Sequence, residues 1–246
     1  MKFCKILLNN ILPLYFSSST DDTFMPLLEI TNLVKRLGRS NSEQQFTLRI
    51  PHFTLEQGTD LVLTGESGSG KTTLLNVICG IIAADEGAVH LLDTNISALS
   101  EAKRDRFRAE HIGIVYQTFN LLQGFTALEN VMMGAAFAKG KLDISARAEE
   151  LLVRLGLQDR LRNKPAELSV GQQQRVAVAR ALVGKPALLL ADEPTASIDA
   201  RNSTIVVEEM RSLAREQGST LLVVSHDTNV AAMFSATQTI HDFIVP

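Results

Sequence analysis

The chain has 246 residues, 45% hydrophobic and 21% charged, with a formal net charge of -3 and a pI near 6.0. That length suits one α/β domain with room for an added lobe, and that composition excludes a disordered chain. The acidic balance excludes nonspecific nucleic-acid binding, and no apolar run approaches the ~20 residues of a spanning helix, so a membrane role would come through a partner.

Residues 1 to 24 open with Lys2 and Lys5 ahead of an apolar run, a superficial likeness to a secretory leader. Asn9, Asn10 and Pro13 break that run, and Ser17 to Phe24 offers no small-residue cleavage pattern. The segment is set aside as a loose extension or a start codon placed too early, and the domain is taken as 25 to 246. The two cysteines of the whole chain, Cys4 and Cys79, form no metal-spaced pair and are read as structural thiols of a reducing compartment.

From Leu27 onward, short apolar runs alternate with helix-length amphipathic segments, the pattern of a mainly parallel sheet covered by helices. Residues 27 to 63 instead suggest antiparallel β structure, with extended runs such as Phe46 to Ile50 joined by polar turns. The clearest strands are Leu61 to Thr64, Ile112 to Tyr116, Ala187 to Ala191 and Leu221 to Val224. Between the second and third of these, helical signals dominate. Thr126 and Glu129 form a capping box, Ile144 to Leu155 is amphipathic and stops at Gly156, and Ser169 caps a helix through Val176, Ala179 and Leu182 to Gly184-Lys185-Pro186. The expected fold is therefore α/β: a mainly parallel sheet, an N-terminal antiparallel β subdomain, and a helical lobe inserted over about residues 118 to 185.

Gly65-Glu66-Ser67-Gly68-Ser69-Gly70-Lys71-Thr72 matches the eight-position phosphate-binding loop, lies between a strand and an apolar helix, and with Thr73 makes up the expected nucleotide contacts. Glycines let the backbone curl until several N–H groups face one phosphate chain, and the helix start adds its positive end. Lys71 would meet the β and γ phosphates of ATP, and the Thr72 hydroxyl would ligate Mg²⁺. Leu188 to Ala191 is an apolar run ending in Asp192 and Glu193, at the sheet edge where α/β folds bind ligands. Asp192 would hold Mg²⁺ and Glu193 would take a proton from the attacking water.

Those residues permit any P-loop NTPase. Leu168-Ser169-Val170-Gly171-Gln172-Gln173-Gln174-Arg175 narrows the choice, because it resembles the signature of the ATP-binding cassette family. The exposed start of the helix capped by Ser169 is a second anion site. The resemblance implies that Ser169, Gly171 and Gln172 serve an ATP held by another copy, so that two cassettes sandwich the nucleotide. It also gives Gln117 a role in sensing Mg²⁺ or water, places Asp199 in a loop that crosses to the partner subunit, and brings His226 to the γ phosphate. The likeness spans nearly all of residues 27 to 235.

Two departures stand out. Val170 occupies a position that is usually glycine, which predicts lost backbone freedom. Leu37 stands where many members stack an aromatic ring on adenine, which predicts weak base selectivity. The short interval from Lys71 to Gln117 leaves no room for long coiled coils, and only one cassette is present. Tyr116-Gln-Thr-Phe-Asn-Leu-Leu, Thr126-Ala-Leu-Glu-Asn-Val and Ile198-Asp-Ala-Arg-Asn202 look like the lipoprotein-release and macrolide-export subfamily. A cytoplasmic subunit on the inner face of the membrane follows, docked on a separate permease. Phe119, Leu121, Leu122 and Phe125 are the candidate docking residues, with internal core as their other reading. The competing function is a cassette ATPase of a cell-division or assembly scaffold that transports nothing.

Overall fold

The computed structural model describes residues 26–37, 46–136 and 143–242, so the segment 1 to 24 lies outside them. Five strands make a parallel sheet: β3 (Asp60–Thr64), β6 (Ile112–Val115), β7 (Leu188–Asp192), β8 (Thr220–Val224) and β9 (Ala236–Thr239), in the order β6-β7-β8-β3-β9. Both faces are covered. Leu188, Leu190, Leu222 and Val224 point into one hydrophobic cluster, and Leu189, Ala191, Leu221 and Val223 into the other, which is why these strands are nearly continuously apolar.

The second sheet is antiparallel and comprises β1 (Leu28–Leu37), β2 (Phe46–Leu55), β4 (Glu86–Leu91) and β5 (Thr94–Asn95), ordered β2-β1-β4-β5. It differs from the expected block over residues 27 to 63. Its last two strands come from beyond the phosphate-loop helix α1 (Lys71–Ile78), while β3 leaves for the parallel sheet. The β4 sequence starts Glu86-Gly87-Ala88 and buries only Val89 and Leu91, too brief a pattern to register as a strand. Gly87 is required there: at φ 84, a Cβ would meet the Asn32 carbonyl oxygen at 2.3 Å.

After the polar helix α2 (Glu101–His111) and β6 comes the helical lobe: α3 (Ala127–Met133), α4 (Ile144–Arg154) and α5 (Val170–Leu182). Both sides of the capping box form at Thr126, whose hydroxyl accepts from Glu129 N–H while Glu129 accepts from Thr126 N–H. Helix α4 ends as expected, with Gly156 at φ 71 just past its C-cap. Helix α6 (Ala200–Glu216) then packs beside the lobe, joined to it by Arg175–Glu209 at 3.0 Å and Arg154–Glu216 at 2.5 Å. A short α7 (Thr228–Ala231) precedes β9.

Candidate active site

The carboxyl ends of β3, β7 and β8 bring the first group of residues together. Between β3 and α1 the loop curls through Gly68 and Gly70, both at positive φ, and the Ser69 N–H bonds Glu66 O at 3.2 Å. Gly65 is pinned from behind, since a Cβ there would stand 2.6 Å from the Ile240 side chain. Glu66, Ser67 and Gly68 face solvent, and Ser69, Gly70 and Thr73 are half-buried. Lys71 is only 6% exposed and its Nζ donates to Gly65 O at 2.7 Å and Glu66 O at 2.8 Å, holding the loop closed on itself.

Strand β7 delivers Asp192 and Glu193 beside this loop. Thr72 Oγ1 donates to Asp192 Oδ1 at 3.2 Å. Burial, with the neighbouring Glu193 charge adding to it, pushes the Asp192 carboxyl above its ordinary value, against the lowering effect of the Thr72 hydrogen bond. These two oxygens fit Mg²⁺, a hard cation that takes one or two protein oxygens and leaves its other positions to phosphate and water. Among the described residues no cluster of three or more His, Cys, Asp and Glu offers a richer metal cage.

Glu193 has φ 46, a backbone conformation uncommon outside glycine and asparagine. It is held there by its own N–H to Val224 O at 2.9 Å and by a ring of donors on the side chain. His226 Nδ1 lies 2.8 Å from Oε1, the His226 backbone N–H donates to the same oxygen at 3.1 Å, and Ser225 Oγ donates to Oε2 at 3.3 Å. Lys71 Nζ completes the surroundings at 3.9 Å. The carboxylate is thus fixed in one direction, while the far side of the His226 ring stays open to solvent.

Gln117 does not end the strand, as its sequence position suggested. β6 stops at Val115, and Gln117 is exposed in a turn closed by Phe119 N–H to Tyr116 O at 3.2 Å. Since Val115 pairs with Ala191, the turn still opens at the same sheet edge as Asp192.

The second group lies apart. Ser169 caps α5 with a reciprocal pair, its hydroxyl accepting from Gln172 N–H at 3.3 Å and Gln172 Oε1 accepting from Ser169 N–H at 2.9 Å. Asp199 caps α6, its carboxylate accepting from Asn202 N–H at 3.1 Å and from Asn202 Nδ2 at 2.6 Å. Both helix starts border one cavity of about 470 Å³, into which Ser169, Gly171, Gln172, Ile198 and Asp199 look. Val170 costs no backbone freedom, because it is the first residue of α5 and needs only a helical φ. Leu37 pairs with Phe46, whose ring edge would be 2.7 Å from a Cβ on Gly70, so an aromatic ring does stand beside the phosphate loop.

One chain therefore carries the phosphate-loop motif beside its two acids, and separately a pair of capped helix starts on one cavity. The ABC transporter family model matches residues 48–196, which include the phosphate loop, the signature segment and the acidic pair. The chain belongs to the ABC transporter family. It is 41% identical over 218 residues to the lipoprotein-releasing system ATP-binding protein LolD of Alcanivorax borkumensis, covering 88% of this chain and 95% of that one. With LolD of Saccharophagus degradans it shares 43% over 208 residues, 84% and 90% of the two chains. Among solved structures it resembles the ATP-binding cassette MJ0796, a dimer in a post-hydrolysis state with ADP and Pi. The TM-score is 0.77 and the identity 34%, over 86% of this chain and 93% of that one.

Several residues of this ABC cassette escaped the sequence. Ser225 was legible only as the neighbour of His226. Asn130, fully buried, donates to the carbonyls of Leu122, Phe125 and Thr126 and accepts from Leu122 N–H, fixing the loop ahead of α3. Arg180 breaks the apolar stripe of α5, a signal that its charge needs an internal partner.

Proposed function

We propose that this chain is the ATPase subunit of a transporter for lipoprotein release, working on the inner face of the membrane through a separate permease. The LolD relatives support the cargo class, and the ADP-bound cassette dimer supports a pair of cassettes as the working unit. One observation carries the chemistry: a nearly buried Glu193 carboxylate, fixed by Ser225 and His226 beside Lys71 and the phosphate loop.

In this reading Lys71 exchanges the Gly65 and Glu66 carbonyls for the β and γ phosphates, and the N–H groups of residues 66 to 73 cradle the chain. Mg²⁺ held by Thr72 and Asp192, with Gln117 at its edge, would neutralise charge across the phosphates. Glu193 accepts the proton of the attacking water, and His226 orients Glu193 through Nδ1 while its exposed edge meets the γ phosphate. Ser169, Gly171, Gln172 and Asp199 close over the ATP of the other cassette, supplying N–H groups at a helix start. Hydrolysis removes the bridging phosphate, and separation of the cassettes pulls on the permease.

Glu193→Gln keeps the shape and removes the base. Turnover should collapse while ATP binding persists, and the protein should run as an ATP-dependent dimer in size-exclusion chromatography. Ser169→Arg, which blocks the second half-site, should stay monomeric with Mg-ATP. Wild-type turnover in Glu193→Gln would overturn the base, and equal dimerisation of both variants would overturn the sandwich.

A further inference from the structure

The Gln117 turn is built on two consecutive residues with left-handed backbones, Phe119 at φ 56 and Asn120 at φ 49, neither of them glycine. Such conformations persist only where surroundings impose them. Within the turn there is little to do so: Asn120 N–H reaches Thr118 O at 2.5 Å and Thr118 Oγ1 donates to Asn120 Oδ1 at 3.0 Å, both contacts being local. The external hold comes from the Phe119 ring, packed against the lobe core, and from one further side chain that takes the carbonyls of the turn. Arg180 Nη1 donates to Asn120 O at 2.6 Å and Nη2 donates to Phe119 O at 2.5 Å, so the planar guanidinium spans both carbonyls at once.

Arg180 sits in the last turn of α5, the helix whose first turn carries Ser169, Gly171 and Gln172. Its own backbone is locked as well, because Gly134 lies so close that a Cβ would stand 2.0 Å from Arg180 O. Burial pushes the guanidinium below its ordinary value, with the Tyr116 hydroxyl acting weakly the other way, and no carboxylate is among its described hydrogen-bond or ion-pair partners. Burying this cation is offset by its hydrogen bonds to two carbonyls of residues in left-handed backbone, so that the guanidinium and the turn hold each other.

We infer that Arg180 is a positioning residue that fixes the Gln117 turn to the signature helix, so that the amide facing one nucleotide and the helix start facing the other move as one rigid piece. This rests on the nucleotide roles proposed above for Gln117 and Ser169. A rigid helix of three turns links the two ends, and the guanidinium supplies the joint at the turn. Lysine would bring a single point charge without the fixed planar fork and so would fix the two carbonyls less firmly, and methionine would hold neither.

The test is a double-mutant cycle on turnover, using Arg180→Met, Arg180→Lys, Gln117→Ala and the two combinations, with ATP affinity and thermal midpoint recorded for each. Arg180→Met should lower kcat about tenfold or more, a loss typical of misplaced groups, with KM for ATP changed less than about threefold and Arg180→Lys intermediate. Half-saturation by Mg²⁺ should also rise. In the Gln117→Ala background most of the Arg180 effect should vanish, since the clamp then holds nothing that acts. Additive losses, or a kcat loss that merely follows the thermal midpoint, would overturn the inference; so would unchanged kcat in Arg180→Met. If Arg180→Met does not fold, Arg180→Lys decides by the same cycle. A normal collapse in Glu193→Gln beside an inert Arg180→Met sinks this inference alone, whereas wild-type turnover in Glu193→Gln sinks the reading of the site beneath it.

Discussion

Asp192, the proposed Mg²⁺ ligand, is carried at the expense of folding. Its carboxyl is raised above the ordinary value mainly by burial, so the ionised form is less favourable in the folded chain than in the unfolded one. At neutral pH that charge lowers stability; the penalty fades as pH falls through the raised folded value and is absent below the unfolded value, where both states are protonated. Asp192→Asn should therefore melt higher than the parent at pH 7 without nucleotide, and the gap should close as the buffer is acidified. The same change should cut Mg²⁺-dependent turnover roughly a hundredfold, about 2.7 kcal/mol. Matching melts in both proteins across the pH range would show that burial of this charge has no energetic weight. Cys79 shifts in the same direction: burial pushes its thiol up to about 12, which leaves it neutral and inert and supports its reading as a structural thiol.

At the scale of elements, the lobe depends on backbone contacts that only glycine allows. A Cβ on Gly134 would stand 2.0 Å from Arg180 O, and one on Gly113 would stand 2.2 Å from Ala181 O, so α5 touches the end of α3 and strand β6 without side chains between. Gly134→Ala should lower stability by about 1–3 kcal/mol through forced separation of α3 and α5. Gly124→Ala, where nothing lies within 4 Å and φ is not positive, is the matched control, and equal denaturation midpoints for the two would refute the packing argument. Elements that begin or end on a chemical signal were legible in the sequence: the caps at Thr126 and Ser169, the stop at Gly156, and the strands running into Thr64 and Asp192. β4 and β5 were not, because two buried side chains and a two-residue bridge leave no period to detect. Nor does one residue's pattern reveal that Arg180 reaches sixty positions back along the chain. That is a tertiary fact.

Across the whole molecule, the apolar residues proposed for docking divide. Leu121 is buried in the lobe core with Phe119 packed against that core, while Leu122, Phe125 and Met133 are 42%, 42% and 47% exposed. The alternative of internal packing was right for Phe119 and Leu121 and wrong for Leu122 and Phe125, since spacing in an irregular loop does not fix which way a side chain turns. Cysteines introduced at Leu122, Phe125 and Met133 should crosslink to the permease proposed above, and one at Phe119 should not; failure of all three outward positions would overturn docking on this face. The parallel core was legible as apolar runs, yet the order of its strands was not. That order has a consequence for synthesis. Strand β3 pairs with β8 and β9, and Asp60 faces Leu221 while Leu61 faces Ala236. Emerging from the ribosome, β3 and its phosphate loop must therefore wait with both edges bare until the chain past Thr220 is made, while β1 and β2 can already pair. A nascent chain in that condition is a substrate for chaperones and a hazard for aggregation, and the nucleotide pocket is among the last features of the molecule to exist.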